Sequence, residues 1–254
     1  VALHDVADER GGRCVDWLEL LAADGPGMQA RYRGEATDFF AGNWNRRLDE
    51  TDDGLFYAAP RLVQHFDATT LGLLGSAYGD LLPPGPALDL MAGWDSHLEQ
   101  ASAVAPLTVL GMNGAELDQN GRAEDRLVQD LNRIPRLPFA DGAFNSVICT
   151  AAIEYLIDPL TVCQEISRVL RPGGLVAIAF TNRWFPPKAI ALWGQLHEFE
   201  RVGLVLEMLW AAGGLEAFSA LSVRGYPRPA GDRFDQLTEA DPLYLVTARK
   251  APPR

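Results

Sequence analysis

The sequence predicts an α/β protein: a mainly parallel seven-stranded sheet whose last strand runs antiparallel, helices on both faces, and an N-terminal helical extension. Three observations carry this. From residue 87 onward, short apolar runs alternate with helix-like segments. The run SVICTAA (146–152) does not alternate polar and apolar residues, as expected of a strand covered on both faces. The last two strand-like runs, near 215–224 and 243–249, have only a loop between them, so they should pair antiparallel.

Residues 1–60 hold six Arg, no Lys and twelve Asp+Glu, with only short apolar patches. A helix near 15–23 is expected, stopped by Gly25-Pro26-Gly27. Asp67 can N-cap a helix whose Leu71, Leu74, Tyr78 and Leu81 recur at helical spacing, before Pro83-Pro84-Gly85-Pro86 ends it. ALDL (87–90) is the first strand, and 95–104 reads as a helix. LTVLG (107–111) follows, then a short helix over 114–120 capped by Asn113, then RLVQD (126–130). A loop with Pro135, Pro138 and Asp141-Gly142 leads into SVICTAA. Asp158 and Pro159 open a helix with Leu160, Cys163, Ile166 and Leu170 on one face. Arg171-Pro172-Gly173-Gly174 stops it, and LVAIAF (175–180) is the fifth strand. A helical stretch over about 187–212, in one or two pieces, precedes the last two strands. The chain thus divides into an extension or cap over 1–82 and an α/β domain over 83–254.

Composition narrows the function. The 254 residues suffice for one large core. With 22 Lys+Arg against 34 Asp+Glu the net charge is −12, which repels phosphate backbones and anionic membranes. A small-molecule partner is expected, with no nucleic acid and no membrane. Three dispersed cysteines, Cys14, Cys149 and Cys163, form no C-x-x-C and fit a reducing cytoplasm. The four histidines lack H-E-x-x-H spacing, so no metal is expected. The opening VALHDVADER lacks the basic and apolar regions of a secretory leader, and the missing initiator Met points to a removed or absent start.

In such sheets ligands sit beyond the carboxyl ends of the strands, which selects loops 91–97, 111–114, 130–138, 150–158 and 181–188. Here the order ALDL-MAGWD, V-Q-D, LPFADGAFNSVICTAAIEYLIDP and EISRVLRPGG resembles the class I S-adenosylmethionine-dependent methyltransferases, in their type 11 branch, over about residues 86–182. The resemblance implies a Rossmann-like fold, S-adenosylmethionine as cofactor and S-adenosylhomocysteine as product. It implies that Asp89 is the acid ending the first strand, and that Met91, Gly93 and Trp94 stand in a first loop that keeps one glycine. Gly111 falls where the family has the ribose-binding acid, with Met112 beside it; Asn113 or Glu116 would take over that contact. Asp130 matches the acceptor for the adenine amino group, flanked by Leu131 and Asn132, and Ala151 to Tyr155 match the edge of the transfer site. A narrower resemblance, carried by FYAAPRLVQHFD (56–67), LDLMAGWDSHL (88–98) and FTNRWFPPKAIALWG (180–194), is to an uncharacterised branch of predicted methyltransferases with the same glycine-poor loop.

By location, His97, Glu154 and Tyr155 are the candidate proton-handling residues, with His the usual choice near neutral pH. His65, just before a helix cap, reads as structural. Asn182, Arg183, Trp184 and Lys188 follow the fifth strand and are candidates for holding an anionic acceptor. Three readings follow: a small-molecule methyltransferase, a methyltransferase-like fold that binds a nucleoside or partner without catalysis, and a nicotinamide-dependent oxidoreductase. The last lacks G-x-G-x-x-G after the first strand.

Overall fold

The computed structural model describes residues 6–7, 13–15, 39–234 and 236–253. Its strands are β1 (Val6–Ala7), β2 (Arg13–Val15), β3 (Gly85–Leu90), β4 (Val104–Gly111), β5 (Asp125–Val128), β6 (Phe144–Thr150), β7 (Leu170–Phe180), β8 (Leu215–Val223) and β9 (Leu243–Lys250). They form one sheet in the order β1-β2-β8-β9-β7-β6-β3-β4-β5. The pairs among β3, β4, β5, β6 and β7 are all parallel. β9 lies antiparallel between β7 and β8. The seven strands from β3 to β9 are those expected, with the last one reversed.

β1 and β2 were not expected. β8 is otherwise an edge with unpaired backbone groups, and β2 pairs with it antiparallel, Cys14 opposite Leu221. The N-terminal segment therefore enters the sheet, and Val15 is in a strand; the rest of the helix anticipated near 15–23 lies outside the described residues.

The helices are α1 (Asp53–Phe56), α2 (Ala68–Leu81), α3 (Gly114–Asp118), α4 (Pro159–Val169), α5 (Ala191–Gln195) and α6 (Glu198–Ala212). The three expected caps are present: Asp67 accepts from Thr70 N at 3.0 Å, Asn113 from Glu116 N at 3.2 Å, and Asp158 from Thr161 N at 3.1 Å. α4 and α6 cover one face of the sheet, where Val162, Cys163 and Ile166 meet Val205 and Met208 among the central strands. α2 covers the other, burying Leu74 and Tyr78 against Leu107, Val109 and Leu245. Each such side chain contributes on the order of 1.5–3 kcal/mol.

The helix expected over 95–104 does not form. His97 has φ +57°, which an α-helix cannot continue, and its N–H goes to the Asp95 carboxylate at 2.9 Å. α2 already fills that layer: Leu98 and Ala101 pack into the same core, and a Cβ on Gly79 would come within 2.8 Å of the Gln100 carbonyl. The carboxyl ends of β3 to β7 consequently open onto one edge, with the strand order turning between β3 and β6.

Candidate functional site

The loop after β3 shapes the floor of the site. Met91 adopts φ +58°, the left-handed turn for which glycine is usual, at a cost of ~1–2 kcal/mol. Ala92 N then donates to Leu110 O at 2.8 Å, drawing the loop across the end of β4. A Cβ on Gly111 would lie 2.1 Å from the Ala92 carbonyl oxygen, so no side chain fits at 111. An acid at that position is excluded by the loop itself. Glu116, one turn into α3, lies beside it instead, with Oε2 3.3 Å from where a Gly93 Cβ would be.

Two cavities lie along this edge. The larger, about 100 Å³, is lined by Met91, Gly111, Met112, Asn113, Asp130 and Leu131 on the sheet side. Asn132, Ala151 and Tyr155 close its far end, and Asp53, Tyr57 and Phe185 roof it. The smaller, about 50 Å³, is lined by Asp89, Gly93, Trp94, His97 and Thr150 below and by Arg61 and Gln64 above. His65, Glu116 and Ala151 border both, so the two are one groove interrupted at that point. Ala151 also holds a left-handed φ of +53°. Three non-glycine residues in this conformation along one edge mark a site where the surrounding structure imposes the backbone.

At the far end Asp130 Oδ1 accepts from Asn132 N at 2.9 Å. The Asn132 side chain donates to Tyr155 O and to Asp53 Oδ2, each at 2.9 Å, and accepts from Ile157 N at 2.8 Å. It thereby joins the loops after β5 and β6 to α1. At the near end, burial pushes the Asp89 carboxyl up to about 7, against the hydrogen bond it accepts from Ser96 Oγ at 2.6 Å. Burial also raises Asp95, but bonds from the His97 side chain and backbone and from Gln64 outweigh it and hold that carboxyl well below its ordinary value. His97 Nδ1 sits 3.1 Å from Asp95. Burial lowers the His65 pKa, helped by the charges of His97, Arg183 and Arg61, so His65 is neutral at pH 7. It is the groove residue that the sequence reading assigned only a structural part.

A strap, residues 57–66, roofs the groove and is tied to its loops. Arg61 N donates to Glu116 Oε1 at 2.7 Å, and Asn113 Nδ2 donates to Tyr57 O at 2.9 Å. Gln64 Nε2 donates to Asp95 Oδ2 at 2.8 Å, and Trp94 Nε1 donates to Val63 O at 3.2 Å. Trp94 and Asn113 are thus strap anchors as well as groove residues.

Several expected site residues are spent elsewhere. Glu154 is fully buried behind the groove, its carboxyl raised to about 7 by burial despite its own backbone N–H and the neighbouring Tyr155 hydroxyl. Tyr155 Oη accepts from Phe185 N at 2.9 Å, and burial, with the Glu154 charge, raises the phenol well above its ordinary value. Lys188 is fully buried and pairs with Asp49 at 3.2 Å and Asp53 at 3.1 Å. Arg183 pairs with Asp241 at 2.8 Å, and Trp184 stacks under Arg201 at 4.0 Å. Asn182 and Arg183 line a separate cavity with Arg224 and Arg228. Of the expected anion-holding set, the two cations pair with carboxylates of the chain itself.

Comparison with known proteins points to the same stretch of the chain. A family model described as a methyltransferase domain matches residues 89–178, from the end of β3 into β7. A demethylmenaquinone methyltransferase of Beutenbergia cavernae is 29% identical over 148 residues, covering 57% of this chain and 58% of that protein. The chain thus spans little more than half the length of that relative. A possible histamine N-methyltransferase of Thermotoga maritima superposes with a TM-score of 0.51 at 17% identity over 70% of this chain and 87% of that one. The 4+2 cyclase SpnF does so with a TM-score of 0.51 at 18% identity over 77% and 90%. These two share the fold. The likeness to a methyltransferase domain is thus carried by residues 89–178, the stretch that holds the strand ends of the groove.

Proposed function

We propose that the chain transfers the methyl group of S-adenosylmethionine to a small-molecule acceptor. The observation that carries this is the groove along the carboxyl edge of β3 to β6, its floor inside the matched domain, with acceptors Asp130 and Glu116 on either side of the glycine cradle at 111. These residues fit an adenosyl group. Asp130 would accept from the adenine amino group beside Met112, Leu131 and Asn132. Glu116 would accept from the ribose in place of an acid at 111. Asp89, Met91, Gly93, Trp94 and Ala151 would border the amino-acid portion. The cofactor supplies a methyl group on a sulfonium, a good leaving group. Cavities of about 100 and 50 Å³ are below the usual ~300–1,000 Å³ of ligand sites, so admission requires the strap to shift outward. Its return would exclude water and hold the acceptor in line.

Tyr57, His65, Tyr155 and Phe185 wall the larger cavity. Such walls suit a flat ring, which accords with the name of the Beutenbergia relative, a demethylmenaquinone methyltransferase. Neutral His65 is placed to take a proton from an acceptor hydroxyl; the Tyr155 hydroxyl is engaged by Phe185 N and Glu154, and His97 is held by Asp95. Among the described residues no helix is long and apolar enough to cross a membrane, and the net charge of −12 disfavours nucleic acid.

A second reading, binding without methyl transfer, draws on the Ala92 carbonyl drawn tight over Gly111 and on the cyclase that shares this fold. Incubation with S-adenosylmethionine labelled in its methyl group, with hydroxylated aromatic acceptors, separates the two. Label in an acceptor, with S-adenosylhomocysteine released, supports the first. A protein that binds S-adenosylhomocysteine yet labels none of the acceptors supports the second.

A further inference from the structure

The strap contributes one cation to the groove. Arg61 is the Arg or Lys that lines either cavity among the described residues, and it lies outside the matched domain. Its guanidinium lies over three rings, 4.6 Å from Phe56, 5.5 Å from Tyr57 and 5.8 Å from Phe185. Nη2 donates to the Phe56 carbonyl at 2.7 Å, which fixes the plane of the fork. Nη1 is buried and has no acceptor. The cations nearby are all neutralised: Arg47 by Asp53, Lys188 by Asp49 and Asp53, Arg183 by Asp241. The carboxylates of the smaller cavity are also engaged, Asp95 by His97 and Gln64, Asp89 by Ser96, and Glu116 by the Arg61 backbone N–H.

A buried charged donor without an acceptor is costly, and a chain with a net charge of −12 has no shortage of carboxylates to place there. Arg61 instead lines a cavity of about 50 Å³, room for a group of a few atoms where a single water needs ~10–15 Å³. A planar fork, stacked on rings and with one donor unpaired, is suited to grip a carboxylate.

We propose that Arg61 binds the carboxylate of the cofactor's amino-acid portion, so that the strap, and not the sheet, supplies the anion site. This rests on the function proposed above. It makes the strap a sensor of the complete cofactor: an adenosyl compound without that carboxylate leaves Arg61 unpaired and the roof without this tie.

The test compares S-adenosylhomocysteine with 5′-methylthioadenosine, which keeps the adenosine and the thioether but lacks the amino-acid portion. Titration calorimetry is run on the full chain and on Arg61→Gln. Loss of one hydrogen bond to a charged group corresponds to roughly 10- to 100-fold in affinity. The proposal expects that loss for S-adenosylhomocysteine in Arg61→Gln, with 5′-methylthioadenosine binding unchanged within about two-fold. Unchanged affinity for S-adenosylhomocysteine overturns it. Equal loss of both ligands also overturns it, because Arg61 then only holds the strap; the ligand-free melting temperature shows whether the variant folds. If the unaltered chain binds neither ligand, the failure belongs to the proposed function and not to Arg61.

Discussion

Asp89 ends β3 fully covered, and its environment makes it a titrating group near neutral pH. Its unfolded carboxyl ionises near 3.8, its folded one near 7. Between those values the folded state holds a proton that the unfolded state has released, so stability falls as pH rises from about 4 to about 7. The slope from one such group is at most about 1.4 kcal/mol per pH unit. Glu154 acts in the same sense, while Asp53 and Asp95, whose pKa values are lowered, contribute stability that is lost only below about pH 4. Asp89→Asn keeps an acceptor for Ser96 and removes one titration. Thermal melts between pH 4.5 and 7.5 should show a shallower decline in the variant; an unchanged slope would show that Asp89 does not titrate there. Asp130 is the second residue to probe. It caps Asn132 N, and the reading gives its carboxylate an adenine as well. Asp130→Ala should weaken S-adenosylhomocysteine binding roughly 10- to 100-fold in a folded protein. A folded variant with unchanged affinity makes Asp130 a loop cap and nothing more.

At the scale of elements, the loop after β3 decides what the end of β4 can carry. Because a Cβ at 111 would meet backbone 2.1 Å away, Gly111→Ala must push the loop off β4. We expect a loss of ~1–3 kcal/mol or more, read as a lower denaturant midpoint at unchanged slope, together with weaker cofactor binding. Full stability in this variant would mean that the loop is not seated on Gly111. The same loop shows where sequence was legible and where it was not. Asp67, Asn113 and Asp158 were readable as caps because a cap is a local contract between a side chain and an N–H three residues on. The helix anticipated over 95–104 was not refutable from its own residues. What displaces it is α2, packed from an earlier part of the chain. Likewise Arg183 and Lys188 look like free cations in sequence because the carboxylates that neutralise them, Asp241 and Asp49, lie 58 and 139 residues away. The groove-lining set fared better: Met91, Gly93, Gly111, Met112, Asn113, Asp130, Leu131, Asn132 and Ala151 do face one groove. They sit at strand ends, where topology alone fixes position. Arg61, His65 and Glu116 come from segments whose placement depends on tertiary contacts, and Glu116 had only its nearness to 111 to signal it.

At the scale of the whole molecule, the proposed function makes the edge of this sheet, roofed by the strap, an adenosyl site. In the proposed function the sheet and the two helical layers supply the floor, and the strap is the part that shifts to admit the ligand. Ligand binding to the folded state alone stabilises it by mass action. At a concentration of 100 times the dissociation constant the gain is about 2.7 kcal/mol. For a chain of 254 residues that corresponds to a rise in Tm of roughly 5–10 °C. Melting of the full chain with millimolar S-adenosylhomocysteine is therefore the most direct measurement. The account predicts a saturable rise of that size, absent with NAD(H); no rise with S-adenosylhomocysteine would contradict it.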